Sequence, residues 1–456
     1  IRVTEIGEKT FLAGVMRLVA EAQASKSRLQ ILSDRAAFYL TIIALAAGAI
    51  TFVSWLAAGK GAITATERLV AVLVIACPHA LGLAVPLVAS ISTTMAARKG
   101  FLVKQRLALE AARQIDIVLF DKTGTLTKGE FGVEEVVSLI RHPERSEGSR
   151  DSRDSSPPKA DQNDKSVLQY AASVNQYSEH TIAKAIVAEA KRLQVKLLET
   201  KNFQRIPGKG AKGTIAGKEI LVGSETLFDF ADSGFRIKSG MTKILVAVDN
   251  EVIGAIALAD RIREESREAI KTLKNLGIKT AMITGDSEDV AKWVAKELGI
   301  DIYFSRVLPE RKAKIVKDLQ EGKVENWKLK IGNSSRRLAV AMVGDGINDA
   351  PALTQADLGI AIGAGTNVAI ESAGIILVRN DPRDIVKIIK LSKLTYRKMM
   401  QNLFWATGYN AVALPLAAGV LASRGIILQP ALAALFMSLS TVIVAVNAVL
   451  LRKQKL

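Results

Sequence analysis

The chain has 456 residues, a formal charge of +17 and 49% hydrophobic residues, which is too long and too apolar for one compact soluble core. Its lysines and arginines are scattered, with no aromatic-interleaved basic patch, so the charge does not point to nucleic acid; the single cysteine, Cys77, excludes an internal disulfide framework. The sequence opens at Ile1 with no cationic start and cleavage site before the first apolar run, and it reads as truncated at its N-terminus.

Residues 1–35 carry helical periodicity (Phe11, Val15, Leu18, Val19, Ala22) and read as an amphipathic lead-in. Four stretches then lack any charged residue: 36–58, 69–97, 399–423 and 425–451. Each exceeds the roughly 20 residues that a bilayer-crossing helix needs, which predicts four membrane helices in two pairs. Arg17, Lys26, Arg28 and Arg35 precede the first run, and Arg98, Lys99, Lys104 and Arg106 follow the second. Lys393, Arg397 and Lys398 precede the third, and Arg452, Lys453 and Lys455 close the chain. These flanks are expected on the cytoplasmic side, so the segment between residues 97 and 399 is a cytoplasmic insert.

Cys77-Pro78-His79 lies within the second run. Proline removes a helical hydrogen bond, so the helix should break there and expose carbonyls beside a thiol and an imidazole. Such polar groups at bilayer depth are costly without a function. Asn402, Tyr409 and Asn410 on the third run, and Met437, Ser440 and Asn447 on the fourth, could face them. A thioether beside Cys and His selects a soft ion: Cu⁺ fits best, Ag⁺ is close behind, and the imidazole leaves Cu²⁺ open.

Inside the insert, 115–120 is a short apolar run ending at Asp121, and the same design recurs at 280–286 and 339–345. Helical stretches at 263–276, 287–298 and 309–319 alternate with these strands, and further strands follow at 358–362 and 375–378. The alternation predicts an α/β fold with a doubly wound parallel sheet, whose carboxyl ends would bring Asp121, Asp286 and Asp345 together. The segment 131–256 interrupts this pattern and reads as an inserted α+β domain, with a helix at 181–193. Residues 141–165 are polar and Ser-rich, the composition of a flexible loop; 323–337 reads as a second, basic surface insertion.

Asp121 opens Asp121-Lys-Thr-Gly-Thr-Leu-Thr127, and a carboxylate at a buried strand end is well placed to attack a terminal phosphate. Asp345 and Asp349 offer hard oxygen ligands for Mg²⁺. Thr284 and Gly285 can donate to phosphate oxygens, and Lys312 supplies a cation. Gly208 and Gly210 allow close backbone approach, and with Ser178-Glu179-His180 in the same insert they suggest an adenine site.

Asp121-Lys-Thr-Gly-Thr, Thr284-Gly-Asp286 and Gly344-Asp-Gly-Ile-Asn-Asp349 together resemble the phosphorylation, hinge and magnesium loops of the P-type ATPases, over nearly the whole chain. The Cys-Pro-His triplet resembles the copper-associated subgroup of the family's heavy-metal (CPx) branch, as do its Tyr-Asn and Met-x-x-Ser signatures. The resemblance implies a HAD-like phosphorylation domain (107–130 and 257–392) with an inserted nucleotide domain (131–256). Membrane helices would occupy 36–106 and 393–456, after the end of an actuator region in 1–35. It implies a catalytic set of Asp121, Lys122, Thr123, Thr284, Gly285, Asp286, Lys312 and Asn348, with ATP bound by Glu179, His180, Gly208, Gly210 and the hinge carboxylate Asp260. Mg²⁺ would sit at Asp121, Thr123, Asp345 and Asp349, and the transported ion at Cys77, His79, Tyr409, Asn410, Met437 and Ser440. Thr181 after the histidine, and Gly223-Ser224 in place of Gly-Asn, depart from the branch pattern.

The expected function is ATP-driven export of copper, as Cu⁺ or Cu²⁺, or of Ag⁺, across a prokaryotic inner membrane, with the catalytic domains cytoplasmic. The family's actuator triplet Thr-Gly-Glu is absent from this sequence, so the chain alone is expected to retain nucleotide but not to complete transport cycles. The rival readings are a membrane-anchored phosphatase indifferent to Cys77→Ala, an inactive metal- or nucleotide-binding fragment, and a zinc or potassium pump.

Overall fold

The structure, a computed structural model, describes residues 27–138, 162–206, 209–228, 241–323, 337–345, 347–363, 371–454 and 456. Most of the expected 1–35 lead-in, of the loop at 141–165 and of the insertion at 323–337 lies outside the described residues, as does Gly208.

Ser27 caps the first helix, α1 (Arg28–Ala57), by accepting from the Gln30 amide. The helix therefore starts at Arg28, ahead of the apolar run. The second run folds as two helices, α2 (Ala62–Ile75) and α3 (His79–Arg98), separated at Ala76-Cys77-Pro78. After β1 (Phe101–Val103) and the short α4 (Arg106–Ala111), the strand β2 (Ile117–Asp121) is buried at every residue.

The next elements are β3 (Thr127–Ser138), α5 (Gln162–Asn175), α6 (Thr181–Arg192), β4 (Lys201–Ile206), β5 (Gly210–Ile215), β6 (Lys218–Gly223), β7 (Thr242–Val248) and β8 (Glu251–Ile262). They are followed by α7 (Glu264–Asn275), β9 (Lys279–Ile283), α8 (Glu288–Leu298), β10 (Ile302–Phe304) and α9 (Pro309–Gln320). The chain closes with β11 (Val340–Gly344), α10 (Ala350–Gln355), β12 (Leu358–Ile362), β13 (Ile375–Leu377), α11 (Arg383–Ala418) and α12 (Pro430–Val449).

Two compact units result, one of Ile1–Leu119, Thr272–Lys279 and Pro309–Leu456, the other of Phe120–Lys271 and Thr280–Leu308. In the first, the strand order is β1-β13-β12-β11-β2. The β11–β12 and β12–β13 pairs are parallel, as expected for buried α/β strands, and β1 closes the edge antiparallel to β13. The long helices of this unit pack through small and branched side chains: Val85, Val88, Met399 and Leu451 form one cluster, and Ala71, Ala417 and Ala433 belong to another. Small residues let apolar helices approach closely.

Four membrane helices were expected, but among the described residues three segments are long and apolar enough to cross a membrane: Arg28–Ala57, Ala62–Arg98 and Pro430–Lys453. The third predicted run belongs to α11, one continuous 36-residue helix that begins in charged sequence at Arg383. Gln401, Asn402 and Asn410 lower its hydropathy. Asn402 is fully buried and donates to the carbonyls of Ala84 (3.0 Å) and Val444 (3.2 Å), while accepting from Asn447 Nδ2 at 2.7 Å.

In the second unit β9 and β10 pair in parallel, and a separate antiparallel sheet runs β3-β8-β7-β6-β5-β4. Leu168, Ile186, Ile220, Val246 and Ile256 form the core that α5 and α6 share with that sheet.

Asn402 ties α11 to α3 and α12 where few other polar partners exist. Asn402→Ala should lower the unfolding midpoint of the detergent-solubilised protein, by roughly 1–3 kcal/mol for the unpaired groups left behind; an unchanged midpoint in a thermal melt would contradict this role.

Candidate functional site

In the second unit, Asp121 ends β2 and is buried, 8% exposed. The turn that follows needs a left-handed residue, supplied by Gly124 at φ 76°. Arg263 fixes this turn by donating to the carbonyls of Thr127 (2.9 Å) and Gly124 (3.2 Å), and Ser266 donates to the Leu126 carbonyl. The sequence placed Arg263 and Ser266 in the helical stretch at 263–276 and gave neither a role. Their spacing just after an acidic strand end is the signal that could have found them.

Lys122 is held between two carboxylates, with its ammonium 2.7 Å from Asp286 Oδ2 and 3.5 Å from Asp260 Oδ2. Asp260 also accepts from the Thr127 hydroxyl at 2.6 Å. Taking one member from such a buried set leaves an uncompensated charge, typically at a cost of roughly 3–5 kcal/mol. Thr284 donates to Asp286 at 2.6 Å, and the Asp286 amide donates back to the Thr284 hydroxyl at 3.1 Å, closing a tight loop after β9. Glu288 braces the far end of that loop by accepting from Ser305 and Tyr303. Those hydrogen bonds hold its carboxyl below the usual range. Asp121, Lys122, Asp260, Thr284 and Asp286, predicted from separate motifs, thus all belong to this unit.

In the first unit, Asp345 follows β11 and is half-buried, while Asp349 is 1% exposed. Lys312 donates to Asp349 Oδ1 at 2.6 Å. The other oxygen packs over Gly344, where any Cβ would collide with it. Buried carboxylate oxygens held over a bare backbone fit a hard divalent cation such as Mg²⁺. Asn348 lies in the short 3-10 turn between these two aspartates.

A cavity of about 210 Å³ in the second unit is lined by His180, Ile182, Lys209, Gly210, Gly223 and Ser224, among others. His180 caps α6, with Nδ1 accepting from the Ile182 amide at 3.3 Å, which leaves its ring edge at the cavity mouth. Gly210 faces Gly223 across β5 and β6, and a Cβ at Gly210 would overlap the Val222 carbonyl. Glu179 is exposed and is not among the lining residues. The glycines therefore sit on antiparallel strands, and the cavity admits a flat ring against backbone.

Among the apolar helices, the break at Pro78 leaves Ile75 without its helical partner, and the Tyr409 hydroxyl donates to that carbonyl at 2.7 Å. Cys77 and His79 are exposed at the break. Met437 is half-buried; Asn410 and Ser440 are buried, and Asn410 Oδ1 and Ser440 Oγ have no hydrogen-bond partner among the described residues. Asn402, two turns before Tyr409 on α11, is committed to backbone carbonyls.

Residues 115–357 match the family model of haloacid dehalogenase-like hydrolases. The chain is 51% identical to the copper-exporting P-type ATPase B of Archaeoglobus fulgidus, over 99% of this chain and 61% of the relative. It is 41% identical to the probable copper-transporting P-type ATPase B of Staphylococcus aureus, over 99% of this chain and 63% of the relative. It thus spans about three fifths of the length of these curated relatives. Among solved structures, a zinc-transporting PIB-type ATPase in an E2.Pi state matches with a TM-score of 0.76 at 30% identity, covering 99% of this chain and 68% of that one.

A Cβ at Gly210 collides with the Val222 backbone, so Gly210→Val should distort the β5–β6 pairing at the cavity wall, at roughly 1–3 kcal/mol of strain, and bind a fluorescent ATP analogue about tenfold more weakly or worse. An unchanged titration would place the nucleotide elsewhere.

Proposed function

The chain belongs to the heavy-metal PIB-type ATPases, within the haloacid dehalogenase-like hydrolases, and on that premise we propose that it serves ATP-driven export of a copper-type ion through a phosphorylated Asp121. The observation that carries this reading is the buried Asp121 at a strand end, followed by a turn that Arg263 locks in place. A nucleophile held in that way needs only an in-line terminal phosphate and neutralising charge.

In this reading the cavity by His180 and Gly210 receives the adenine of ATP. An Asp121 carboxylate oxygen attacks the γ-phosphorus, the new O–P bond forms as the bond to the β-phosphate oxygen breaks, and ADP leaves. Thr284, through its hydroxyl, and Gly285, through its amide, orient the phosphoryl oxygens. Lys122 holds the Asp286 loop beside Asp260, and Lys312 holds Asp349 in place. Asp345 and Asp349 would hold Mg²⁺, which would supply charge neutralisation on the phosphates.

The ion would be taken at the helix break, with Cys77 and His79 as soft and borderline donors. The buried and unsatisfied Asn410 Oδ1 and Ser440 Oγ support a polar path through the helices, because such groups rarely persist there without a partner. Tyr409 and Met437 line the same region in this reading. The relatives' names favour copper, and the membrane would be a prokaryotic inner membrane with the catalytic units on its cytoplasmic side.

The full-length protein, given γ-labelled ATP, should acquire an acid-stable, hydroxylamine-labile phosphate that vanishes in Asp121→Asn. Labelling of the Asn variant at the wild-type level would overturn the reading. With Cu⁺, Ag⁺, Cu²⁺ and Zn²⁺ run in parallel, Cys77→Ala and His79→Ala should each lower metal-dependent phosphorylation by at least the roughly 10- to 100-fold that loss of a ligand's outer-shell partner costs. Equal labelling by Zn²⁺ and Cu⁺ would reject a copper preference, and indifference to both variants would favour a phosphatase without transport.

A further inference from the structure

An open groove of about 610 Å³ runs along the N-terminal half of α11 and is lined by Arg113, Lys393, Tyr396, Arg397, Phe404 and Trp405, among others. Its composition changes along the helix. Positions 393, 396, 397, 400, 401 and 404 recur at three- and four-residue spacing, so one face carries cations first and aromatic rings about two turns later. The step falls where the charged part of α11 gives way, near Met399, to sequence without charges.

The cations are not spent on ion pairs. Lys393 and Arg397 are exposed, and neither has an acidic partner among the described residues. Neighbouring basic residues behave differently: Lys387 pairs with Asp384 at 2.6 Å, and Lys398 turns away to Asn447 at 2.7 Å. Arg113 comes from the segment before β2, and its guanidinium lies 3.8 Å from the centre of the Tyr396 ring. That stacking fixes the arginine as a flat cationic wall of the groove, and its Nη1 and Nη2 donate to the Gln114 side-chain oxygen at 3.1 and 3.2 Å. Its Nε is buried and without a hydrogen-bond partner. Below the cations, Phe404 (70% exposed) and Trp405 (52% exposed) meet edge to face with ring centroids 6.1 Å apart.

Two rings so exposed, one step along the helix from three cations, match the layering of a membrane interface, where aromatic residues sit at headgroup depth and basic residues just outside. We propose that this groove binds the headgroup of an anionic phospholipid of the cytoplasmic leaflet. Its phosphate is held by Arg113, Lys393 and Arg397, and its first acyl carbons lie on Phe404 and Trp405. Charge complementarity selects this occupant: a neutral zwitterionic headgroup brings its own cation to the same place, and an apolar protein segment leaves three cations unpaired. The inference rests on the reading of the apolar helices as membrane spans, and not on the identity of the transported ion.

The full-length protein is reconstituted in nanodiscs containing brominated phosphatidylglycerol or brominated phosphatidylcholine at equal mole fraction, and the Trp405 contribution to fluorescence is isolated by difference from Trp405→Phe. Trp405 should be quenched more strongly by the anionic lipid. Each cation near the surface contributes on the order of 1 kcal/mol, so the anionic preference should fall about fivefold in Lys393→Gln or Arg397→Gln, and about 25-fold in the double variant. Equal quenching by the two lipids, or a preference that survives in the double variant, overturns the site. So does a Trp405 that neither lipid quenches, which means that protein covers the groove. Quenching of Trp55, on α1, reports separately whether the helices are inserted, so failure of the spans is distinguished from failure of the site.

Discussion

Inside a bundle of apolar helices, polar groups have only one another to bond with, and most of the architecture of the first unit answers that constraint. Pro78 cannot donate, so the helix stops, and the freed Ile75 carbonyl is met by Tyr409 from α11. Arg68, nearly buried in α2, donates to the Leu428 carbonyl at 2.6 Å, and Trp55 donates to the Ala418 carbonyl at the end of α11. Asn402 serves two carbonyls at once. Against this background of satisfied groups, Asn410 Oδ1 and Ser440 Oγ stand out as exceptions.

The second unit meets the opposite problem, which is to keep charged groups close together without letting them neutralise the chemistry. Lys122 bridges Asp286 and Asp260, so two carboxylates are tied to the cation that follows Asp121. Arg263 spends its donors on main-chain carbonyls, which makes it a clamp on the loop. A preorganised turn of this sort needs no rearrangement when phosphate arrives, and preorganisation is where phosphoryl transfer gains most.

The groove on α11 shows how one helix serves two solvents. Its first half is charged and packs with short helices of the first unit, while its second half is apolar and packs with α3 and α12. A single 36-residue helix spans both parts. A lipid held at the change of polarity would therefore touch the element that joins them.

Local features were legible in the sequence. The strands at Ile117–Asp121, Lys279–Ile283 and Val340–Gly344, the break at Pro78 and the Asp121 signature depend on residues adjacent in the chain, and each lies within a few residues of its expected place. The number of membrane-type helices was less legible, because a run without charges was counted as a span although Gln401, Asn402 and Asn410 lower its hydropathy. What the tertiary structure alone decided are the pairings over long separations: Tyr409 with Ile75, Asn402 with Ala84 and Val444, Arg263 with Gly124, and Arg113 with Tyr396. Residue type says that a hydroxyl or guanidinium will find a partner, but only packing determines which carbonyl or ring is within reach.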